Sequence, residues 1–305
     1  MLAVLLVGSV GGYLGGVVGA GVGATIVPGL VLLGVDPTVA IGSSLMLHVL
    51  ISPLGGLYHY KRGNSRKKIL VPLALAGMVG AFSGALLSTH IPTKELTILV
   101  GVSTIAAGAF IIIKFPRPNG KGNVLKELAR KLRGPTASAI ALVGLVAGLS
   151  HGALGTGWGP LGVPLLMFLG VLPQTAIGSS LLARFFVALV GGSTYFAFTG
   201  VQLDVLLPLM FGGSIAVILG AATAKRLRSK TLKKIVGITA IVLGAVVLVK
   251  QVTKDVTLPL FVGGLIAVGL LVLTSGVLRS KTQKRVVGAT ALAASAAVLV
   301  MKVIG

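Results

Sequence analysis

The chain has 305 residues, of which 55% are hydrophobic and 10% charged, against about 25% charged in a typical soluble domain. Its net charge is +22, but nearly all 27 lysines and arginines sit in short gaps between apolar runs, and no separate basic domain exists, so nucleic acid is excluded as a partner. The absence of cysteine excludes disulfides, thiolate metal sites and a cysteine nucleophile; no cofactor or metal is expected.

The chain opens on an apolar, glycine-rich stretch, residues 1–33. No Lys or Arg precedes Lys61, so this stretch lacks the cationic region of a cleavable signal peptide and is expected to belong to the mature bundle. Its run Gly15-Gly16, then Gly19-Ala20-Gly21-Val22-Gly23, resists a continuous helix. Further on, 69–89, 95–113, 204–224, 232–249, 256–278 and 286–301 are apolar runs of membrane-spanning length. Linker 114–133 is basic. After Asn123, a candidate N-cap, it carries an amphipathic stretch with Val124, Leu125, Leu128 and Leu132 on one face, expected to lie on the lipid surface. A second glycine-rich break follows at Gly152, Gly155-Thr156-Gly157-Trp158-Gly159-Pro160. The fold class is therefore an all-α polytopic membrane protein. The regular polar–apolar alternation of a membrane β-barrel is absent.

The chain contains itself twice at an offset of 136 residues. Gly34-Val35-Asp36-Pro37 falls on Gly170-Val171-Leu172-Pro173, and Ala40-Ile41-Gly42-Ser43-Ser44-Leu45 on Ala176-Ile177-Gly178-Ser179-Ser180-Leu181. Duplicated halves in so apolar a chain mark many secondary transporters. A partial third copy places Asp204-Val205-Leu206-Leu207-Pro208 on Asp255-Val256-Thr257-Leu258-Pro259. The expected organisation is repeat 1 over 1–115, a cytoplasmic amphipathic linker over 116–134, repeat 2 over 135–251, and an additional helix pair over 252–305 duplicated from 204–252. That last pair is read as scaffold or oligomer contact, since it brings no glycine-rich hairpin.

Charge decides the expected topology. Four basic clusters occupy 61–68, 114–133, 225–234 and 279–285. If 1–33 and 135–169 each crossed once, the halves would run parallel and two clusters would face the wrong side. If each glycine-rich segment enters and returns on one side, all four clusters face the cytoplasm. The preferred reading is two inverted repeats, each a re-entrant hairpin plus three transmembrane helices, in the cell (plasma or inner) membrane. A continuous glycine-rich helix packed against neighbours is the alternative.

A glycine-rich segment, a proline, an apolar stretch and Gly-x-x-Pro-x-x-Ala-x-Gly-Ser-Ser, appearing twice, resembles the TauE/SafE family of sulfite and organosulfonate permeases. The resemblance covers about 8–115 and 144–251. It implies transport, often export, of small sulfur-containing anions, coupled to an ion gradient. Thr156 and Trp158 interrupt the usual second glycine run, and the pair after Lys250 exceeds the family's usual length.

Arg184 is the sharpest candidate. It lies inside the apolar stretch 175–198, where an arginine costs at least about 2.5 kcal/mol on insertion scales and faces a cavity or a partner. Its planar fork of donors suits the oxygens of an anionic substrate; the competing reading is a structural partner such as Asp204 or a helix-end carbonyl. His48 holds the equivalent position in repeat 1 and is a candidate proton carrier, or a neutral ring on a backbone carbonyl. His151, Thr156, Gly157 and Trp158 sit in the second break, where free amides and hydroxyls would grip an anion. Ser43, Ser44, Ser179 and Ser180 lie at matching places and either donate to substrate or pack; Gly21, Gly23 and Thr25 complete the candidate set in the first break. Expected partners are a small anionic substrate, the bilayer, a coupling proton or sodium, and another copy in a homo-oligomer. A passive anion channel is the main rival. An intramembrane hydrolase built on Ser150-His151 lacks a convincing constellation.

Overall fold

A computed structural model describes residues 1–18, 22–112, 135–224 and 229–252. Ten α-helices make up almost all of it: α1 Leu2–Val18, α2 Val22–Leu32, α3 Pro37–Lys61, α4 Lys67–Thr89, α5 Thr93–Ile112, α6 Ala137–Leu154, α7 Val163–Phe168, α8 Pro173–Thr199, α9 Leu203–Ala224 and α10 Ser229–Val252. A π-helical turn, Trp158–Gly162, leads directly into α7. Shifting α1–α5 by 136 residues lands on α6, on the π-turn with α7, and on α8, α9 and α10. The amphipathic linker and the additional C-terminal pair lie outside the described residues.

The matching punctuation explains the matching helices. Pro37 and Pro173 open α3 and α8, where a missing N–H costs nothing and φ is already helical. Gly34 and Gly170 end the preceding helices in the left-handed region at φ 88° and 85°. Each belongs to a paired cap: Gly34 and Val35 donate to Val31 and Leu30, Gly170 and Val171 to Met167 and Leu166.

Six described helices, α3, α4, α5, α6, α8 and α9, are long and apolar enough to cross a membrane; α1, α2, Trp158–Phe168 and Val236–Gln251 of α10 are shorter apolar stretches. The broken segments are hairpins. A Cβ on Gly15 would strike Val22, one on Gly11 would strike Ile26, and one on Gly29 would meet Val7, so α2 returns antiparallel along α1. In the second half His151 stands against Trp158, and a Cβ on Gly162 would come within 3.8 Å of Ala147, the same pairing 136 residues on. Although α6 has span length, the chain reverses immediately after it.

The helices form two compact units that do not follow the repeats. One holds α1, α2, α5, α9 and α10. The other holds α4, α6, the π-turn, α7, α8 and all but the first turn of α3. In the second unit α6 lies on α4 through glycine: a Cβ on Gly144, Gly148 or Gly152 would run into the backbone of Leu73, Gly77 or Ala81. In the first unit Gly8, Gly12 and Gly16 of α1 meet Leu209, Gly213 and Val217 of α9. These are the same contacts with the halves exchanged. Small residues at four-residue spacing let backbones approach, which is how helices associate where lipid supplies no hydrophobic drive.

Within the first unit, Gly101 packs on Gly244 and Gly108 on Gly237, so the equivalent helices α5 and α10 run antiparallel. Lys250 of α10 donates from Nζ to the carbonyls of Val31 and Leu32, 3.1 and 3.2 Å away, and closes the C-terminus of α2. The core of the second unit is built from Leu73, Ala81, Ala147, Trp158, Leu166 and Val187. Leu75, Val79, Phe82 and Leu142 are exposed, as lipid-facing residues are.

Candidate functional site

The second unit buries six of the predicted residues close together: Ser44, His48, His151, Trp158, Ser180 and Arg184. The frame of this cluster is the end of α6. Gly155 terminates the helix at φ 69°, donating to the His151 carbonyl at 2.8 Å. Two carbonyls left open there, Gly152 and Ala153, accept from the Tyr195 hydroxyl at 3.0 and 3.2 Å, and Ala153 also from Ser88 Oγ at 2.9 Å. Gly157 is required because a Cβ would collide with Ser150. The carbonyls that the break leaves open are thus satisfied by protein.

Trp158 then turns inward, 1% exposed, and its Nε1–H donates to Ser180 Oγ at 2.9 Å and to the Ser180 carbonyl at 3.1 Å. The indole is a packed wall of the cluster. His151 stands between it and His48, with ring centroids 6.2 Å from Trp158 and 5.1 Å from His48, the two imidazoles edge to face. His48 Nδ1 lies 2.8 Å from the Ser44 carbonyl oxygen, the backbone pairing expected of a neutral ring.

Arg184 completes the cluster from α8, one turn beyond Ser180. It is 6% exposed, and its guanidinium is close enough to act electrostatically on both histidines. Among the described residues its one hydrogen bond runs from Nε to Ser52 Oγ at 3.0 Å; the terminal amino groups donate to none of them. The described residues of this unit include no Asp or Glu. Buried charges are ordinarily paired. Two further groups are open among the described residues: Ser44 Oγ is buried without a partner there, and both His151 ring nitrogens lack a hydrogen bond of proper geometry, although the Gly155 peptide is near enough to influence the ring. The cluster thus holds N–H and O–H donors and, among the described residues of the unit, no carboxylate.

The remaining candidates are placed differently. Thr156 and Ser43 are buried in the same unit. Ser179 Oγ accepts from the Arg66 N–H at 3.2 Å, tying α8 to the loop before α4. Gly23 and Thr25 lie on α2 in the other unit, where Thr25 Oγ1 bonds back to the Val22 carbonyl at 3.0 Å. Gly21 is outside the described residues. Sequence reasoning missed Ser52 and Tyr195. Ser44, His48 and Ser52 form a polar stripe at four-residue spacing on an apolar helix, a signal that would have found Ser52.

Comparison with known proteins agrees with this architecture. The family model described as "Sulfite exporter TauE/SafE" matches residues 4–247. The chain is 26% identical over 225 residues to the probable membrane transporter protein YtnM of Bacillus subtilis, covering 72% of each chain. It is 26% identical over 251 residues to the probable membrane transporter protein YdhB of the same organism, covering 81% of this chain and 98% of that one. A probable membrane transporter protein of Xylella fastidiosa is 29% identical over 196 residues, 63% of this chain and 72% of the relative. No solved structure matches. With a family model spanning most of its length, six helices of membrane-crossing length and relatives named as transporters, the chain belongs to the TauE/SafE family of multi-pass membrane transporters.

Proposed function

We propose that the protein is a secondary transporter that exports small sulfur-containing anions, such as sulfite or organosulfonates, by alternating access. The observation that carries this is Arg184: a buried guanidinium whose terminal donors have no partner among the described residues, in a unit whose described residues include no carboxylate. The counter-charge then comes from the substrate. Ser44 and His151 supply further hydrogen bonds, and Trp158 closes one side. The family description names sulfite, and its export sense supports the direction proposed. Purified protein in liposomes, offered sulfite, sulfoacetate, taurine, thiosulfate and sulfate under imposed pH and sodium gradients, is expected to accumulate one sulfur oxyanion with saturable counterflow. Non-saturating flux without counterflow is the channel's signature and overturns the carrier.

The two halves are read as inverted repeats over 1–115 and 135–251, with the basic loops cytoplasmic. The antiparallel packing of the equivalent helices α5 and α10 supports inversion. Single cysteines at Ser65 and Ser229 are expected to resist an impermeant thiol reagent in intact cells, and one at Gly200 to react. Labelling at Ser229 without labelling at Ser65 contradicts this arrangement.

A further inference from the structure

Two buried histidines stand beside Arg184, and holding an anion does not by itself require either. His48 and His151 are each 2% exposed. The Ser44 carbonyl accepts only, so His48 Nδ1 carries the hydrogen and, in the neutral ring, Nε2 carries the lone pair. Neither His151 ring nitrogen has a hydrogen bond of full geometry among the described residues, the Gly155 peptide lying near the ring, so at least one of them is open to a partner. Buried polar groups left in this state ask for an explanation, and a transient partner is one.

The surroundings of the pair are simple. From α8 come Arg184 and the Tyr195 phenol, which is engaged by the carbonyls of Gly152 and Ala153. From the π-turn comes Trp158, whose N–H is held by Ser180. Between Ile69 and Thr89, α4 carries no titratable side chain, and α7 carries none. His59 lies near the far end of α3. Nothing of negative charge among the described residues of the unit balances Arg184, and nothing there balances a second positive charge.

We infer that the His48–His151 pair is a proton site coupled to the substrate: a divalent oxyanion bound beside Arg184 draws one proton onto the pair. The inference rests on the reading that Arg184 holds the anion. The balance is direct. Arg184 contributes one positive charge and the protonated pair a second, so a dianion leaves the buried cluster neutral. A monoanion is neutralised by Arg184 alone and draws no proton. The proton comes from water on the side to which the site is open and takes the lone pair of His48 Nε2 or of one His151 nitrogen. It returns to water when the anion leaves, and no bond within the anion breaks. A dianion therefore crosses with one proton and moves one net negative charge, and the favoured substrate class is the divalent sulfur oxyanion.

Thiosulfate and methanesulfonate test this, since one is a dianion, the other a monoanion, and neither titrates near neutral pH. Calorimetry on the purified full chain in two buffers of different ionisation enthalpy counts protons taken up per anion bound. One proton per thiosulfate and none per methanesulfonate is expected. Thiosulfate affinity should rise about tenfold for each pH unit lowered while the pair is unprotonated. In the double variant His48→Gln, His151→Gln both the proton uptake and this slope should vanish. Thiosulfate binding that exchanges no proton with wild type, yet is weakened by Arg184→Ala, overturns the proton site and leaves the anion site standing. Proton uptake surviving in the double variant overturns it as well. If neither anion binds wild type, or both bind Arg184→Ala as tightly as wild type, the reading of Arg184 fails and the proton site with it.

Discussion

Arg184→Ala is expected to weaken anion binding by about tenfold to a hundredfold or more, because a charge-assisted hydrogen bond is worth ~1.5–3 kcal/mol. Arg184→Lys should recover only part of the loss: the ammonium keeps the charge but not the planar fork, in which Nε holds Ser52 and leaves the terminal nitrogens to the proposed ligand. A second readout separates this from a structural role. In the empty protein Arg184 is a buried charge with one neutral hydrogen bond among the described residues, so its desolvation is poorly repaid. Arg184→Met should therefore leave thermal stability without ligand unchanged or raise it. Wild type, and not the variant, should gain about 2.7 kcal/mol of apparent stability at a ligand concentration a hundred times the Kd. A variant that is less stable when empty, yet binds the anion with unchanged affinity, assigns Arg184 to packing.

The second large effect is expected at Gly148. A Cβ there points at the carbonyl oxygen and Cα of Gly77, which belong to the backbone of α4 and have no rotamer to yield. Overpacking a core costs about 1–3 kcal/mol when side chains can adjust, and more is expected where only whole helices can move. Gly148→Leu should abolish the monodisperse protein in detergent, and Gly148→Ala should lower its melting temperature markedly. Gly12 meets Gly213 in the equivalent contact of the other unit, so Gly12→Leu should be as damaging. Leu149→Ala, one residue on but 43% exposed, is the control and should behave as wild type. A normal melting curve for Gly148→Leu would show that α4 and α6 are not held at this distance.

Much of the helix plan was legible because each repeat carries its own punctuation. The prolines at 37 and 173 and the glycines at 34 and 170 act through local backbone preferences, which sequence displays directly. Which helix packs on which was not legible. The glycine ladder of α1 is complementary to α4 and α9 alike, as these are copies of each other, so a repeat pattern describes a half without saying whose partner it is. At the site, Arg184 and His48 announced themselves as ionisable residues in apolar helices. The serines did not sort themselves, because adjacent residues on a helix point in different directions. Ser180 faces the indole of Trp158, while Ser179, beside it, receives the Arg66 N–H. Tyr195 escaped notice because a tyrosine near the end of a span reads as an interfacial anchor, whereas here it closes the end of α6.

The interlaced packing also sets an order of manufacture. The hairpin α1–α2 leaves the ribosome well before the helices that cover it, α9 and α10, which lie nearly two hundred residues behind. At ~5–20 residues per second this is a delay of roughly ten to forty seconds, during which the Gly8, Gly12 and Gly16 face of α1 lacks the helix it packs on. α4 waits less, since α6 begins at Ala137, far sooner after Thr89 than α9 follows α1. The second unit, with its arginine and histidines, is in this sense completed before the first, which awaits α9 and α10. A nascent chain stalled before α9 would hold the assembled chemistry of the site while the α1–α2 hairpin still exposed the glycine face that α9 covers.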